Sequence, residues 1–283
     1  MADDNKLLKP LLGLGIAGNS AGHLQQTGEI KGLSAIDDAA KPQALFPFFV
    51  SHAKDAYLTC MPYSTTELRL PNELGAKVQM EAELALKLAV VYDAEGKVIQ
   101  LTAISMTVMN DATYRNASVC KLAEKKNWGL ATKGIAEHEI LIDKFVAGGE
   151  LDHFRLCGFH QSNGQWQLCG QDSAVTEYTY FYQQLLQWLV KQIRQQQDKN
   201  ALHNIQDLLS QAGNPEQILI SIGATRYSVF GEQHQLLQGD QLVVALYDSR
   251  AYDFQALASE LEKTGTLNVL SKNKIIFLQQ QVV

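Results

Sequence analysis

Cysteine is scarce in this sequence, and the four cysteines follow none of the spacings that carry metal or redox chemistry. They form no Cys-x-x-Cys pair and have no histidine at zinc-finger distance. A folded chain of 283 residues buries roughly three quarters of its extended surface, so its core needs no disulfide framework. The pattern disfavours zinc fingers, thioredoxin-type sites and knottins. We expect packed thiols at Cys60, Cys120, Cys157 and Cys169.

Concentrated positive charge and long apolar runs are also missing. The chain carries 24 Lys and Arg against 30 Asp and Glu, a formal net charge of −6, without a basic block. We expect no nucleic-acid partner, because phosphate binding needs a concentrated basic surface. No stretch reaches the roughly 20 apolar residues of a membrane span, so no membrane partner is expected either. The apolar run at 11–18 is short and follows Asp3 and Asp4, unlike a secretory signal, so the sequence predicts a cytoplasmic protein.

The middle of the sequence is rich in patterns of period two. Residues 76–92 alternate between apolar and other side chains, as in a half-buried strand whose successive side chains point to opposite faces. A turn at 93–96 leads to a second strand at 97–104, and the two strands predict a hairpin. Further short strands are predicted at 151–160 and 165–169.

In the second half of the chain the apolar spacing changes to three and four. Residues 181–197 predict an amphipathic helix with a glutamine-rich solvent face. Helices are also predicted at 201–211 and 252–263, with strands at 217–222 and 241–247. Neither a repeat nor a long linker is visible. The predicted fold is therefore a single α+β domain, mainly β.

Three acidic residues near the predicted hairpin are candidate metal ligands. Glu81 and Glu83 lie two residues apart in one strand, so both carboxylates point to the same face. On a buried face they would bind a hard divalent metal, whereas on an exposed face they are solvated charges. Asp111 follows the second strand, and the hairpin return can bring it beside the two glutamates. The alternative for Asn110-Asp111 is a turn or a helix cap.

A rival motif is the glycine pattern of dinucleotide-binding proteins. Gly13, Gly15 and Gly18 have the required spacing, and Asp37 and Asp38 follow at about the right distance. A dinucleotide site needs a helix directly after the glycines, but the following residues are rich in glycine and favour a helix poorly. Nicotinamide binding is therefore disfavoured.

Several motifs, in one order along the chain, resemble the fumarylacetoacetate hydrolase superfamily. Residues 80–85, Met-Glu-Ala-Glu-Leu-Ala, are followed by Asn110-Asp111 and then by Arg115, as in the core motif of that family. Upstream, residues 15–29 are similar to its opening strand and its Asn-Tyr-x-x-His segment. Downstream, Trp128 and Lys133 match a tryptophan and a lysine of the family, and residues 223–240 resemble its closing loop and turn.

The resemblance implies a mainly β, α+β fold: a mixed β-sandwich roll with peripheral helices, usually homodimeric. Within the single domain, 1–283, it implies an N-terminal strand and lid region at 1–75 and a β-roll core at 76–283. It further implies Mg²⁺ or Mn²⁺ and a small 2-oxo acid or 1,3-dicarbonyl partner. The expected enzyme is a metal-dependent C–C hydrolase or lyase acting on acylpyruvate-like substrates through an enolate, with decarboxylases, hydratases and isomerases as related alternatives.

Carried over by position, the resemblance also assigns residue roles. The metal ligands are Glu81, Glu83 and Asp111. The general base is His23 on a mobile lid, and Glu29 is the nearest acid that could support it.

The implied substrate-binding residues come from four separate segments. Lys133 supplies a cation for the carboxylate or oxo group of the substrate and is also counted among the catalytic residues. Arg115 is counted among the substrate-binding residues, although its expected main role is to brace the site. Asn19 and Thr225 complete the implied set.

Some positions depart from the family pattern. Ser20 replaces a tyrosine, Gln26 replaces the glutamate that pairs with the histidine, and Thr225 lies one position beyond the family's Gly-Thr pair. Gln26 cannot stabilise an imidazolium by charge. The departures predict a remote branch with an intact metal site and a changed substrate shell. They leave open a second hypothesis, a catalytically silent dimer of the same fold that binds a metal or a small 2-oxo acid.

Overall fold

The computed structural model describes residues 12–20, 41–267 and 273–283. Strands account for most of the regular structure in these residues. In chain order they are β1 (Leu12–Ala17), β2 (Ala44–Val50), β3 (Tyr63–Ser64), β4 (Glu67–Leu68), β5 (Val78–Gln79), β6 (Ala82–Tyr92), β7 (Val98–Asn110), β8 (Thr113–Tyr114), β9 (Lys133–Ile135), β10 (Ile140–Leu141), β11 (Phe154–Ser162), β12 (Gln165–Ala174), β13 (Gln217–Ala224), β14 (Gln241–Asp248) and β15 (Ile275–Val282).

The helices lie around the strands and are mostly short. They are α1 (Ala56–Thr59), α2 (Tyr182–Gln195), α3 (Ile205–Gln211), α4 (Val229–Gln233) and α5 (Phe254–Thr264). Single 3₁₀ turns cover Leu122–Lys125, Glu150–His153 and Val175–Glu177.

The larger sheet is mixed and has the strand order β2-β1-β13-β6-β7-β9-β3, with β10 paired to β7. Strand β1 runs parallel to β13, whereas β6 is antiparallel to both β13 and β7. The hairpin of β6 and β7 is therefore central in this sheet. The predicted hairpin is confirmed, with β7 extending to Asn110, six residues beyond the predicted end.

A second sheet, β12-β11-β14-β15-β4, packs against the first, with β11 and β14 facing β6, and β14 and β15 facing β7. The close approach of β11 to β6 depends on a glycine: a Cβ added at Gly158 would lie 2.9 Å from the Cβ of Ala82. Residues 82–86 of β6 are buried on both faces. The predicted half-buried strand is thus wrong for this part, because polypeptide also covers the face opposite the second sheet.

The predicted helices are confirmed with shifted ends. Helix α2 packs on β7 through an apolar stripe that includes Leu185, Leu189 and Ile193. The second predicted helix starts later, at Ile205, because the Asn204 side chain accepts the Asp207 N–H at 3.1 Å and caps the helix there.

The first two glycines of the rival dinucleotide motif lie inside β1. A Cβ added at Gly15 would be 2.2 Å from the Phe46 ring, and one added at Gly13 would be 2.5 Å from the Phe48 ring. These glycines thus make room for aromatic rings. The next strand of the described chain, β2, is antiparallel to β1, which does not match the parallel βαβ unit that dinucleotide binding requires.

The predicted fold class, a mainly β, α+β sandwich with peripheral helices, is confirmed. None of the helices in the described residues is long and apolar enough to cross a membrane. All four cysteines are free thiols, and Cys157 and Cys169 are buried as expected. Cys120 is exposed, so the expectation of a packed thiol there is wrong, since this residue lies in a surface loop before a 3₁₀ turn. The single-domain organisation, the homodimer and the cytoplasmic location stay predictions.

Candidate metal centre

The register of the β6/β7 hairpin brings three acidic side chains together. Ala82 pairs with Asn110, and the Asp111 N–H donates to the Glu81 carbonyl at 2.9 Å, so Glu81 and Asp111 lie opposite each other. The alternation along β6 puts Glu83 on the same face as Glu81, while Ala82 faces the second sheet. One carboxylate oxygen from each of the three acids lies within 4.8 Å of the others. We call Glu81, Glu83 and Asp111 the carboxylate triad.

The triad is buried. The relative exposures of Glu81, Glu83 and Asp111 are 3%, 2% and 0%. The alternative of a solvated strand face is therefore wrong. The alternative of a turn or a helix cap at Asn110-Asp111 is wrong as well, because Asn110 ends β7, β8 starts at Thr113, and the Asp111 carboxylate contacts Lys126 and Lys133. Buried carboxylates are costly unless cations or hydrogen-bond donors compensate them.

Among the described residues, three cationic side chains contact the triad. The Lys126 Nζ lies 2.7 Å from both Glu81 Oε2 and Asp111 Oδ2. The Lys133 Nζ lies 2.6 Å from Asp111 Oδ1, and Arg115 Nη2 lies 2.5 Å from Glu81 Oε1. Three cations therefore balance the formal charge of the three carboxylates.

Lys133, predicted to contact substrate, contacts Asp111 from the side of β9. Its side chain has 0% exposure, and its ammonium also donates to the Ala112 carbonyl at 2.6 Å. Burial lowers the pKa of Lys133 to about 8, and the charge of Asp111 opposes this shift. Lys133 thus holds one oxygen of Asp111, and its role toward a substrate stays a prediction.

Arg115 makes the kind of bracing contact that was expected. Besides Glu81, its guanidinium donates to the Tyr227 hydroxyl and to Gln79 Oε1, each at 2.9 Å. The Tyr227 hydroxyl in turn donates to the Met80 carbonyl at 2.8 Å. This network fixes the Glu81 side chain from one side.

Glu83 is held by backbone on the other side of the triad. Its Oε2 accepts the Gly223 N–H at 3.0 Å. Burial, and next the charge of Asp111, raises the pKa of the Glu83 carboxyl well above its ordinary value, while Lys126 acts in the opposite direction. An added cation would favour the ionised form of Glu83.

Lys126 is the site residue that the sequence reasoning missed. It follows the 3₁₀ turn Leu122–Lys125, and its side chain is only 4% exposed. The next residue anchors the segment, because the Asn127 amide donates to the carbonyls of Phe48, Tyr57 and Cys60. In the sequence, Lys125 and Lys126 are two adjacent lysines outside any helix or strand pattern. Such a pair normally indicates solvent-exposed charge, so nothing in the sequence marked Lys126 as a buried site residue.

Asn19 and Thr225 lie near the triad, but their polar side-chain groups lie against other parts of the chain. The Asn19 amide donates to the carbonyls of Tyr180 and Ile222 and accepts the Tyr180 N–H. Ala224 pairs with Glu83, whereas the Thr225 hydroxyl lies against Gly170 on the opposite side of β6. Neither side chain is directed at the triad by these contacts, and substrate binding by them stays a prediction.

The predicted catalytic pair, His23 and Glu29, lies outside the described residues, as does Gln26. Two cavities adjoin the described part of the site and share Ser20. The smaller is about 20 Å³ and is lined by Glu81, Glu83 and Lys126 among others. The larger is about 360 Å³ and is lined by Thr225 among others. The smaller has room for about one water molecule.

Comparison with known proteins finds one matching family model and several solved structures of similar fold. The model, described as a family of unknown function (DUF5718), matches residues 30–282. The search of curated proteins finds no match. Maleylpyruvate hydrolase from Sphingobium sp. SYK-6 is 10% identical with a TM-score of 0.53, and the match covers 97% of this chain and 71% of that one.

Two further structures are similar over nearly the whole chain. For 2-keto-3-deoxyarabinonate dehydratase the identity is 12% and the TM-score 0.52, with 97% of this chain and 74% of that one covered. A protein from Oleispira antarctica, provisionally assigned as a fumarylacetoacetate isomerase/hydrolase, is 13% identical with a TM-score of 0.51, covering 96% and 93%. At these identities the similarities show the fold, and that fold is the one implied by the sequence motifs.

Proposed function

Because the chain belongs to the family of unknown function DUF5718 and has the fumarylacetoacetate hydrolase fold, we propose that it is a divalent-metal-dependent hydrolase or lyase. Its substrate is a small 2-oxo acid or 1,3-dicarbonyl, cleaved at a C–C bond as in acylpyruvates. The observation that carries the proposal is the buried carboxylate triad at the start of β6 and the end of β7. Its neighbours in fold include a hydrolase and a dehydratase of small oxo acids.

The triad fits Mg²⁺ or Mn²⁺. All three donors are carboxylates, and hard divalent ions prefer oxygen ligands. One oxygen from each of the three acids lies within 4.8 Å of the others, so the three carboxylates converge on one point. Glu81, Glu83 and Asp111 would hold the ion. When bound, it would supply Lewis-acid polarisation of the substrate's oxo and carboxylate oxygens.

The surrounding side chains pre-organise the triad for this role. Lys133 holds Asp111, Arg115 holds Glu81, and the Gly223 N–H holds Glu83. Each contact uses a group that is itself packed or part of a strand, so these contacts restrict the side-chain conformations of the three carboxylates. Burial excludes water and strengthens the electrostatic interactions within the site.

The proton-transfer part of the proposal rests on the resemblance. His23 is the general base, and Glu29 is the acid that supports it, both outside the described residues. The substrate reaches the triad from the larger cavity past Ser20, which lines both cavities. The proposed enzyme is a homodimer.

The test is an activity assay with acylpyruvates and oxaloacetate in Mg²⁺ or Mn²⁺. Glu81→Gln and Asp111→Asn should each lower kcat/KM at least about a hundredfold, because a ligand contributes several kcal/mol of transition-state stabilisation through the metal. The matched control is Glu139→Gln, since Glu139 pairs with Lys87 and Ser105 outside the triad. Turnover that survives complete chelation of the metal would contradict the proposal.

A second candidate function is the catalytically silent dimer that binds a metal or a small 2-oxo acid. It is favoured by the charge balance, since Lys126, Lys133 and Arg115 already compensate the three carboxylates. It is also favoured by the cavity of about 20 Å³ at the triad. Metal-dependent binding of oxalate without turnover of any of the substrates would support this second function over the first.

A further inference from the structure

The three cations around the triad do not use the same oxygens. Arg115 contacts Glu81 through Oε1, and Lys133 contacts Asp111 through Oδ1. Lys126 contacts the other oxygen of each acid, Glu81 Oε2 and Asp111 Oδ2. Glu81 Oε2 and Asp111 Oδ2 are therefore the oxygens that a metal ion would take with the least disturbance of the Arg115 and Lys133 contacts, and they are the two that Lys126 contacts.

The charge of the site leads to the same conflict. Counted over the described residues, three ionised carboxylates and three cations are formally neutral, so a divalent ion added with Lys126 in place would leave two positive charges among these groups. With Lys126 absent, the same ion would leave one. Because uncompensated buried charge is strongly unfavourable, Lys126 opposes metal binding by charge as well as by position.

The backbone of Lys126 is fixed, whereas its side chain can turn. The preceding 3₁₀ turn and the three hydrogen bonds of the Asn127 amide anchor the segment. The Lys126 side chain ends beside the Phe46 ring, with Nζ 5.0 Å from the ring centroid. The four-carbon stem of a lysine has several rotatable bonds, so the ammonium can leave the carboxylates while the backbone stays in place.

We propose that the Lys126 ammonium and a divalent metal ion compete for Glu81 Oε2 and Asp111 Oδ2, so that Lys126 is a built-in inhibitor of metal loading. Loading of the site requires the lysine side chain to move off the two carboxylates. The inference rests on the proposed metal centre and adds a means of regulating it. The expected consequence is a weak affinity of the wild-type protein for metal, set by this one side chain.

The experiment measures Mn²⁺ binding by calorimetry for the wild type, Lys126→Met and Lys125→Met. Lys126→Met should bind Mn²⁺ at least about tenfold more tightly than the wild type, which corresponds to about 1.4 kcal/mol. Lys125 is the matched control, because it is the adjacent lysine, is partly exposed, and its Nζ lies 3.5 Å from the Arg115 carbonyl. Lys125→Met should bind as the wild type does.

Thermal unfolding provides a second readout on the same proteins. In the presence of a chelator, Lys126→Met should have a lower Tm than the wild type, because the triad loses a balancing charge. Saturating Mn²⁺ should raise the Tm of Lys126→Met by more than that of the wild type, since tighter binding stabilises the folded state further. A merely structural lysine would lower the Tm without increasing the gain from Mn²⁺.

A third measurement needs no substitution and remains decisive if Lys126→Met fails to fold. Wild-type protein is acetylated with acetic anhydride, with and without saturating Mn²⁺, and the modified lysines are identified by mass spectrometry. Mn²⁺ should increase labelling of Lys126 and leave that of Lys125 unchanged. Equal or lower labelling of Lys126 in Mn²⁺-loaded protein would overturn the proposal.

The binding outcomes separate the inference from the proposed function. If the wild type binds Mn²⁺ and folded Lys126→Met binds it no more tightly, competition is refuted while the metal-dependent function stands. If only Lys126→Met binds Mn²⁺, competition is supported and the metal-dependent function of the wild type fails. If neither folded protein binds Mn²⁺, both are refuted.

Discussion

Replacing Lys133 by methionine should destabilise the protein by about 3 kcal/mol. Lys133 and Asp111 both have side chains with 0% exposure, and their charged atoms lie 2.6 Å apart. Removing one partner of a buried ion pair costs about 3–5 kcal/mol, because the other charge stays buried without its partner. The lower value applies here, since Lys126 still contacts Asp111 at 2.7 Å.

Urea and thermal unfolding measure this cost. At about 2.1 cal/mol/K of unfolding entropy per residue, a loss of 3 kcal/mol in a chain of 283 residues lowers the Tm by about 5 °C. The control is Lys87→Met: the Lys87 Nζ lies 2.7 Å from Glu139, but the two side chains are 16% and 28% exposed. That substitution should cost less than about 1 kcal/mol.

The double variant Asp111→Asn/Lys133→Met decides whether the ion pair causes the loss. Once Asp111 is neutral, loss of the Lys133 ammonium should cost less. The loss of unfolding free energy in the double variant should therefore be at least about 1 kcal/mol smaller than the sum of the losses in the two single variants. Strict additivity would refute the reasoning, and so would a loss below about 1 kcal/mol for Lys133→Met alone.

Three further predictions concern residues outside the triad. Tyr227→Phe removes the hydroxyl that donates to the buried Met80 carbonyl at 2.8 Å, so the free energy of unfolding should fall by about 1–2 kcal/mol in urea titrations. Hydrogen bonds from Arg250 are the main reason that the pKa of Asp248 lies below its ordinary 3.8. Ionised Asp248 therefore stabilises the folded state above pH 3.8, and this contribution is lost as the pH falls below that value. Between pH 5 and 3 the wild type should therefore lose more stability than Asp248→Asn, measured by urea unfolding at each pH. Of the four thiols, only that of Cys120 is exposed, so it should react first with a thiol reagent in the native protein, as mapped by peptide mass spectrometry.

Period-two patterning was sufficient to predict the central hairpin and its acidic face. The spacing of Glu81 and Glu83 fixes their common direction in any strand, and the hairpin return explains the position of Asp111. The pattern could not tell that this face is buried, because burial depends on segments far away in sequence. One such segment carries Lys126, and another carries Gly223.

The missed residue follows an irregular turn, whereas the displaced residue, Thr225, directly follows β13. Lys126 follows a 3₁₀ turn, where no period relates side-chain direction to sequence. For Thr225, the sequence showed a shift by one position, and in a strand such a shift moves a side chain to the other face. The structure has Ala224 beside Glu83 and the Thr225 hydroxyl against Gly170, which follows this rule.

The most direct test of the metal centre is a crystal structure of the wild-type protein soaked in excess Mn²⁺, with anomalous data collected at the manganese edge. The proposal predicts an anomalous peak about 2.1 Å from one oxygen each of Glu81, Glu83 and Asp111, with the Lys126 ammonium displaced. The absence of a peak among the three carboxylates, with Lys126 still bridging Glu81 and Asp111, would contradict it.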